Sequence, residues 1–146
     1  MMTSECVKKL KVSLIKHEGY LNQACLDGTG SIRIGVGYNL SERGISDNWI
    51  LNQLTEDILF FYKSLKDEFY WFEVLNSDRK IVLIDMAFMG WKKFLTFKKM
   101  FRALERENYK TAAKEMLDSK WAKDVKERAI ILADGMRTGV YEVGIS

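Results

Sequence analysis

The sequence predicts an α+β fold that is mostly α, with a small mixed α/β lobe and a larger helical lobe joined by a long helix. Three observations predict it. Five of the ten glycines fall between Gly19 and Gly37, and there is no proline, so turn-forming residues are concentrated in one stretch. Within that stretch Ser31 to Val36 alternate, putting Ile32 and Ile34 on one face and Ser31 and Arg33 on the other. Elsewhere the apolar residues recur at the helical period.

Taken in order, Thr3 or Ser4 is the expected N-cap of a first helix with an apolar stripe at Val7, Leu10 and Leu14, and Gly19 is its expected stop. Asp27-Gly28 is a hairpin-type turn dipeptide ahead of the strand. From Ser46 a long helix is expected, because Ile50, Leu54, Ile58, Phe61, Leu65, Phe69 and Phe72 share a face. Unbroken, it would run about 35–40 Å. Asn76-Ser77-Asp78 should cap a helix that is apolar on all sides from Ile81 to Phe88 and therefore central and buried. Further helices are expected around 95–106, 108–118 and 123–134, with Gly135 just past the last one.

No repeat, low-complexity tract or linker interrupts the 146 residues, so a single domain over 1–146 is expected. Its small lobe covers about 13–60, with the β segment at about 24–38, and its helical lobe covers about 1–12 and 61–146. Two lobes imply a cleft between them, where ligands bind.

Composition removes several classes. Hydrophobic residues at 47% and charged residues at 29% exclude a disordered or fibrous chain. A net charge of +3 from 23 Lys+Arg and 20 Asp+Glu is too even to imply nucleic acid as a partner. Cys6 and Cys25 read as free thiols. The residues Met1 to Leu10 carry an acid and two lysines where a signal peptide would be apolar, and no apolar run is long enough to span a membrane. A cytoplasmic monomer is expected. One histidine, His17, excludes a multi-histidine metal site, and the glycine pairs lack a dinucleotide fingerprint, so neither metal nor cofactor is expected. The basic stretch Lys92, Lys93, Lys98, Lys99 and Arg102 reads first as a solvated face, with an anionic wall polymer or membrane surface as its functional alternative.

Two carboxylates stand out. Four residues beyond Leu14, Glu18 falls on the apolar stripe in the last helical turn, where partial burial and the negative end of the helix dipole both favour its neutral form. Asp27 lies in an open, glycine-flanked turn that keeps a carboxylate ionised. A proton-holding Glu beside an ionised Asp is the arrangement of glycoside hydrolysis; read singly, the same residues are a solvated helix end and an Asp-Gly turn.

The chain resembles the phage-type lysozymes of the T-even bacteriophage endolysin family. The resemblance is carried by His17-Glu18-Gly19-Tyr20, by Asp27 to Leu40, by Leu83 to Gly90, by Ser119-Lys120-Trp121, by Arg128-Ala129 and by Arg137 to Tyr141, in the family's order. It implies a lysozyme-like fold and a muramidase cutting the β-1,4 bond between N-acetylmuramic acid and N-acetylglucosamine in bacterial peptidoglycan. It implies Glu18 as general acid, Asp27 as second carboxylate, and Arg128, Gly37 and Phe88 as substrate-binding or acid-orienting residues. A phage endolysin of this kind would leave the host cytoplasm through a holin-type pore or cell breakage.

The departures are specific. Arg33 stands where the family has a threonine that positions the attacking water, and a guanidinium has no acceptor oxygen and cannot act as a base. Within about 4 Å of Glu18 it would add on the order of 4 kcal/mol of attraction and hold the acid ionised; Asp27, solvent and substrate are its other expected targets. Loss of the water-positioning residue leaves two alternatives to hydrolysis, a peptidoglycan-binding module and a lytic transglycosylase. Tyr38 replaces a basic residue that would pair with an acid such as Asp57, and Asp85 replaces an asparagine, with Arg128 its expected partner in a buried ion pair.

Overall fold

Thr3 opens the first helix as expected, its hydroxyl accepting the Cys6 N–H, and helix α1 runs Ser4–Glu18 until Gly19 turns the chain at φ 83°. In the computed structural model, which describes residues 1–142, the chain is mostly helical with one small antiparallel sheet. Residues 143–146, the last of the expected domain, lie outside the described residues. The chain divides into two compact units, Met1–Gln53 and Leu54–Ser146. Residues 1–12 fall in the first unit, where the sequence reading groups them with the helical lobe.

In the first unit, strands β1 (Leu21–Leu26), β2 (Ile32–Gly35) and β3 (Tyr38–Asn39) form the sheet in the order β1-β2-β3. Cys25 pairs with Arg33 and Leu26 with Ile32, so the register brackets a turn from Asp27 to Ser31. Short helix α2 (Leu40–Arg43) follows, capped by the Asn39 side chain on the Glu42 N–H. The Tyr38 hydroxyl donates to the Gly44 carbonyl at 2.6 Å and its ring lies under the Arg43 guanidinium. The apolar stripe of α1 is not buried, and Val7, Leu10 and Leu14 are all exposed. A helix buries its stripe only against a second layer, and three short strands make too narrow a layer for fifteen residues.

The long helix, α3 (Asp47–Glu68), starts where Ser46 accepts the Trp49 N–H and is shorter than the periodicity predicts. Phe69 and Phe72 continue the apolar spacing, but the chain leaves the helix after Glu68, and Phe72 enters the core from a 3-10 turn, Phe72–Val74.

The second unit continues with α4 (Ser77–Ala87), α5 (Trp91–Phe94), α6 (Lys98–Glu105), α7 (Tyr109–Leu117), α8 (Lys120–Val125) and α9 (Glu127–Thr138). Every buried apolar residue among those described lies here, and α9 packs on α4, α7 and α8. Helix α4 is central but not buried all round: Val82, Leu83, Met86 and Ala87 are buried, whereas Ile81 and Phe88 are exposed. Gly135 is not the last helix's stop. It lies inside α9, where the helix passes close to Val82: a Cβ there would meet Val82 Cγ2 at 3.1 Å, a contact that Val82 would have to relax. The left-handed cap is Gly139, at φ 76°. No helix among the described residues is long and apolar enough to cross a membrane.

Candidate functional site

In the first unit, the turn between β1 and β2 is organised around one carboxylate. Asp27 donates its N–H to the Ser31 carbonyl, while its Oδ1 accepts from the Thr29 N–H at 2.8 Å, the Thr29 hydroxyl at 2.6 Å and the Ser31 N–H at 3.0 Å. The sequence Asp-Gly-Thr permits this because an Asp side chain closes a turn onto backbone two residues on, and the intervening glycine keeps the crest open. Thr29 is thus a site residue that the sequence reading missed. Its signal was the Asx-turn spacing itself.

Arg33 takes the other oxygen. It leaves β2 on the face it shares with Ser31, and its Nε donates to Asp27 Oδ2 at 2.8 Å. Of the targets open to it in the sequence, the guanidinium selects Asp27. The Thr29 hydroxyl, then Arg33, then the Thr29 N–H hold the Asp27 carboxyl well below the usual carboxylate range, against an opposing effect of desolvation. Arg33 is in turn pushed up, first by its bond to Asp27, with the charges of Glu42 and Glu18 adding to the effect. Glu18 is therefore close enough for its charge to be felt at Arg33.

Glu18 itself ends α1. The burial expected of it is not found; the side chain is exposed. It rests instead against the turn between β2 and β3. A Cβ on Gly37 would stand 2.9 Å from Glu18 Oε2, so the carboxylate would have to shift, and φ +61° is a conformation that favours glycine. Among the described residues Glu18 accepts no hydrogen bond and joins no ion pair. The first unit thus brings together Glu18, Asp27, Arg33 and Gly37. A carboxylate without a hydrogen-bond partner among the described residues shares the unit with one held ionised by its hydrogen bonds.

The remaining predicted residues belong to the second unit. Arg128 Nε and Nη2 donate to Asp85 Oδ1 at 2.9 and 2.5 Å, and Nη2 also reaches the Asp85 carbonyl at 3.0 Å. Arg128 stands in the first turn of α9 and Asp85 in the last turn of α4, each at the unfavourable end of its own helix dipole, so the pair offsets both. The pair is half-exposed rather than buried. With Phe88 it lines a cavity of about 600 Å³ whose other walls are Leu54, Ile58, Ile81 and Ile84. Phe88 packs its ring on Phe61 at 5.0 Å between centroids and leaves part of its surface exposed. Among the described residues no three His, Cys, Asp or Glu side chains converge as metal ligands would.

Comparison with protein-family models and with curated proteins finds no match to this chain.

Proposed function

We propose that the chain is a peptidoglycan muramidase, cleaving the β-1,4 bond between N-acetylmuramic acid and N-acetylglucosamine. The observation that carries this reading is the pairing within one small unit of a free carboxyl group, Glu18, with a hydrogen-bonded and ionised one, Asp27. Two carboxylates in unlike surroundings are what glycoside cleavage requires: one gives its proton to the leaving oxygen, and the other faces the positive charge that develops on the sugar. The resemblance to phage-type lysozymes includes these same residues among its motifs. Arg128 and Phe88 border a concavity with one ion pair, Asp85–Arg128, and one aromatic face, features that suit a pyranose ring and its polar substituents. On this reading the protein is a phage or prophage endolysin, a monomer held in the host cytoplasm until a holin-type pore or cell breakage admits it to the wall, where it causes lysis.

The test is solubilisation of dye-labelled sacculi. Wild-type protein is expected to release dye, and Glu18→Gln to release at least about a hundredfold less, the range for loss of a general acid. Equal release by both would remove Glu18 from the chemistry. A second reading, a wall-binding module without cleavage, is favoured by the Arg33 bond to Asp27, which occupies the second carboxylate. It predicts saturable co-sedimentation with sacculi and no dye release from either protein.

A further inference from the structure

The muramidase reading leaves open what attacks the sugar once the bond is broken. Hydrolysis needs a water held and polarised at the anomeric carbon. The surroundings of Asp27 are arranged against that. An ionised carboxylate offers about four acceptor positions, two on each oxygen; here Oδ1 is crowded by three donors and Oδ2 takes Arg33 Nε, which leaves one position on Oδ2, beside a guanidinium. Arg33 offers only donors, so it cannot accept a hydrogen bond from a water that is to lose its proton. The Thr29 hydroxyl proton is committed to Asp27, and that oxygen lies 3.4 Å from the Ser31 hydroxyl. Glu18, by contrast, is free among the described residues and seated against the Gly37 backbone. Glu18 is thus unencumbered, whereas most acceptor positions around Asp27 are taken and Arg33 adds none.

Resting on the muramidase reading, we propose that the chain cleaves peptidoglycan by transglycosylation, the 6-hydroxyl of the muramoyl residue taking the place of water. The bond from C1 to the leaving oxygen breaks, its electron pair staying on that oxygen, which takes the proton of Glu18. The 6-hydroxyl oxygen then bonds to C1, and its proton passes to the Glu18 carboxylate, restoring the acid. No water is consumed and nothing is oxidised or reduced. The product is a glycan ending in a 1,6-anhydro sugar. An attacking group in the same molecule needs far less activation than a separate water, because its approach is already confined. Arg33 acts through Asp27 and is a positioning residue; Glu18 is the catalytic one.

The test is digestion of purified sacculi in heavy-oxygen water, with the released glycan ends identified by mass. Wild-type protein is expected to give anhydro ends over reducing ends by about tenfold or more, with no heavy oxygen incorporated. Arg33→Thr is expected to turn the ratio toward reducing ends that carry heavy oxygen. Reducing ends as the main wild-type product would overturn the transglycosylation proposal and leave the muramidase reading standing. An unchanged product ratio in Arg33→Thr would overturn the role given to Arg33. Intact glycan in both proteins would overturn the proposal together with the reading on which it rests.

Discussion

Asp27 shows how much of a site one residue can organise and how little of that is visible in its neighbours' names. Its ionised state is owed to the Thr29 and Arg33 hydrogen bonds rather than to open surroundings, but its turn follows from the Asp-Gly dipeptide and is legible in the sequence. The direction taken by Arg33 is not, because strand alternation fixes the face a side chain leaves from, whereas a long flexible chain reaches several partners from that face. The structure selects Asp27, and this has a pH consequence. A carboxyl held low in the folded state stabilises fully above its unfolded value, about 3.9, and that contribution is lost as pH falls through the folded value. The Asp27 carboxyl carbon is therefore expected to keep its NMR shift from about pH 7 down to about pH 2.5. In Arg33→Thr the titration moves part of the way back up. Thr29, the largest cause, remains and keeps it from the ordinary value. Gly37 makes a separate prediction. Gly37→Ala would put an L side chain at φ +61° and 2.9 Å from Glu18 Oε2, so a loss of about 1–2 kcal/mol in stability is expected from the backbone alone. A displaced acid costs about tenfold to a hundredfold in cleavage rate; denaturant titration and dye release would measure the two separately.

Elements were legible where side chains close their ends. Thr3 and Asn76 cap the helices they were expected to cap, because a short polar side chain that accepts an N–H two or three residues on is a local arrangement, written in local sequence. Asn76 does more than its cap role predicts: its Oδ1 accepts the Arg79 N–H at 3.0 Å while its Nδ2 donates to the Gly139 carbonyl at 2.8 Å. Asn76→Ala removes both bonds and is expected to cost about 1–2 kcal/mol, read as a lower urea midpoint with unchanged slope. Element ends set by packing were less legible. Gly135 has the look of a helix stop, yet it lies inside α9 where that helix packs closely on Val82. Phe69 and Phe72 extend an apolar spacing that the backbone abandons at Glu68. In both cases the deciding partner is distant in sequence, and no local pattern carries it.

At the scale of the molecule, a helical majority with a small antiparallel sheet was foreseeable from glycine clustering and apolar period. The distribution of the core was not. An apolar stripe such as Val7, Leu10 and Leu14 shows that a helix has a face to bury without showing whether a layer exists to bury it against. Among the described residues the buried apolar side chains all belong to the second unit, and the first gathers its polar bonds around a turn. This unevenness divides the four tryptophans as well. Trp49 stands in the first unit with half its surface open, whereas Trp71 and Trp121 are enclosed in the second and Trp91 is partly covered. Their emission should divide by colour, the enclosed indoles bluer and Trp49 redder. Iodide is expected to darken the red edge first, an effect that Trp49→Phe would abolish. The chain thereby carries its own optical label, with light at one edge reporting on the unit that holds Glu18 and Asp27 and light at the other reporting on the core.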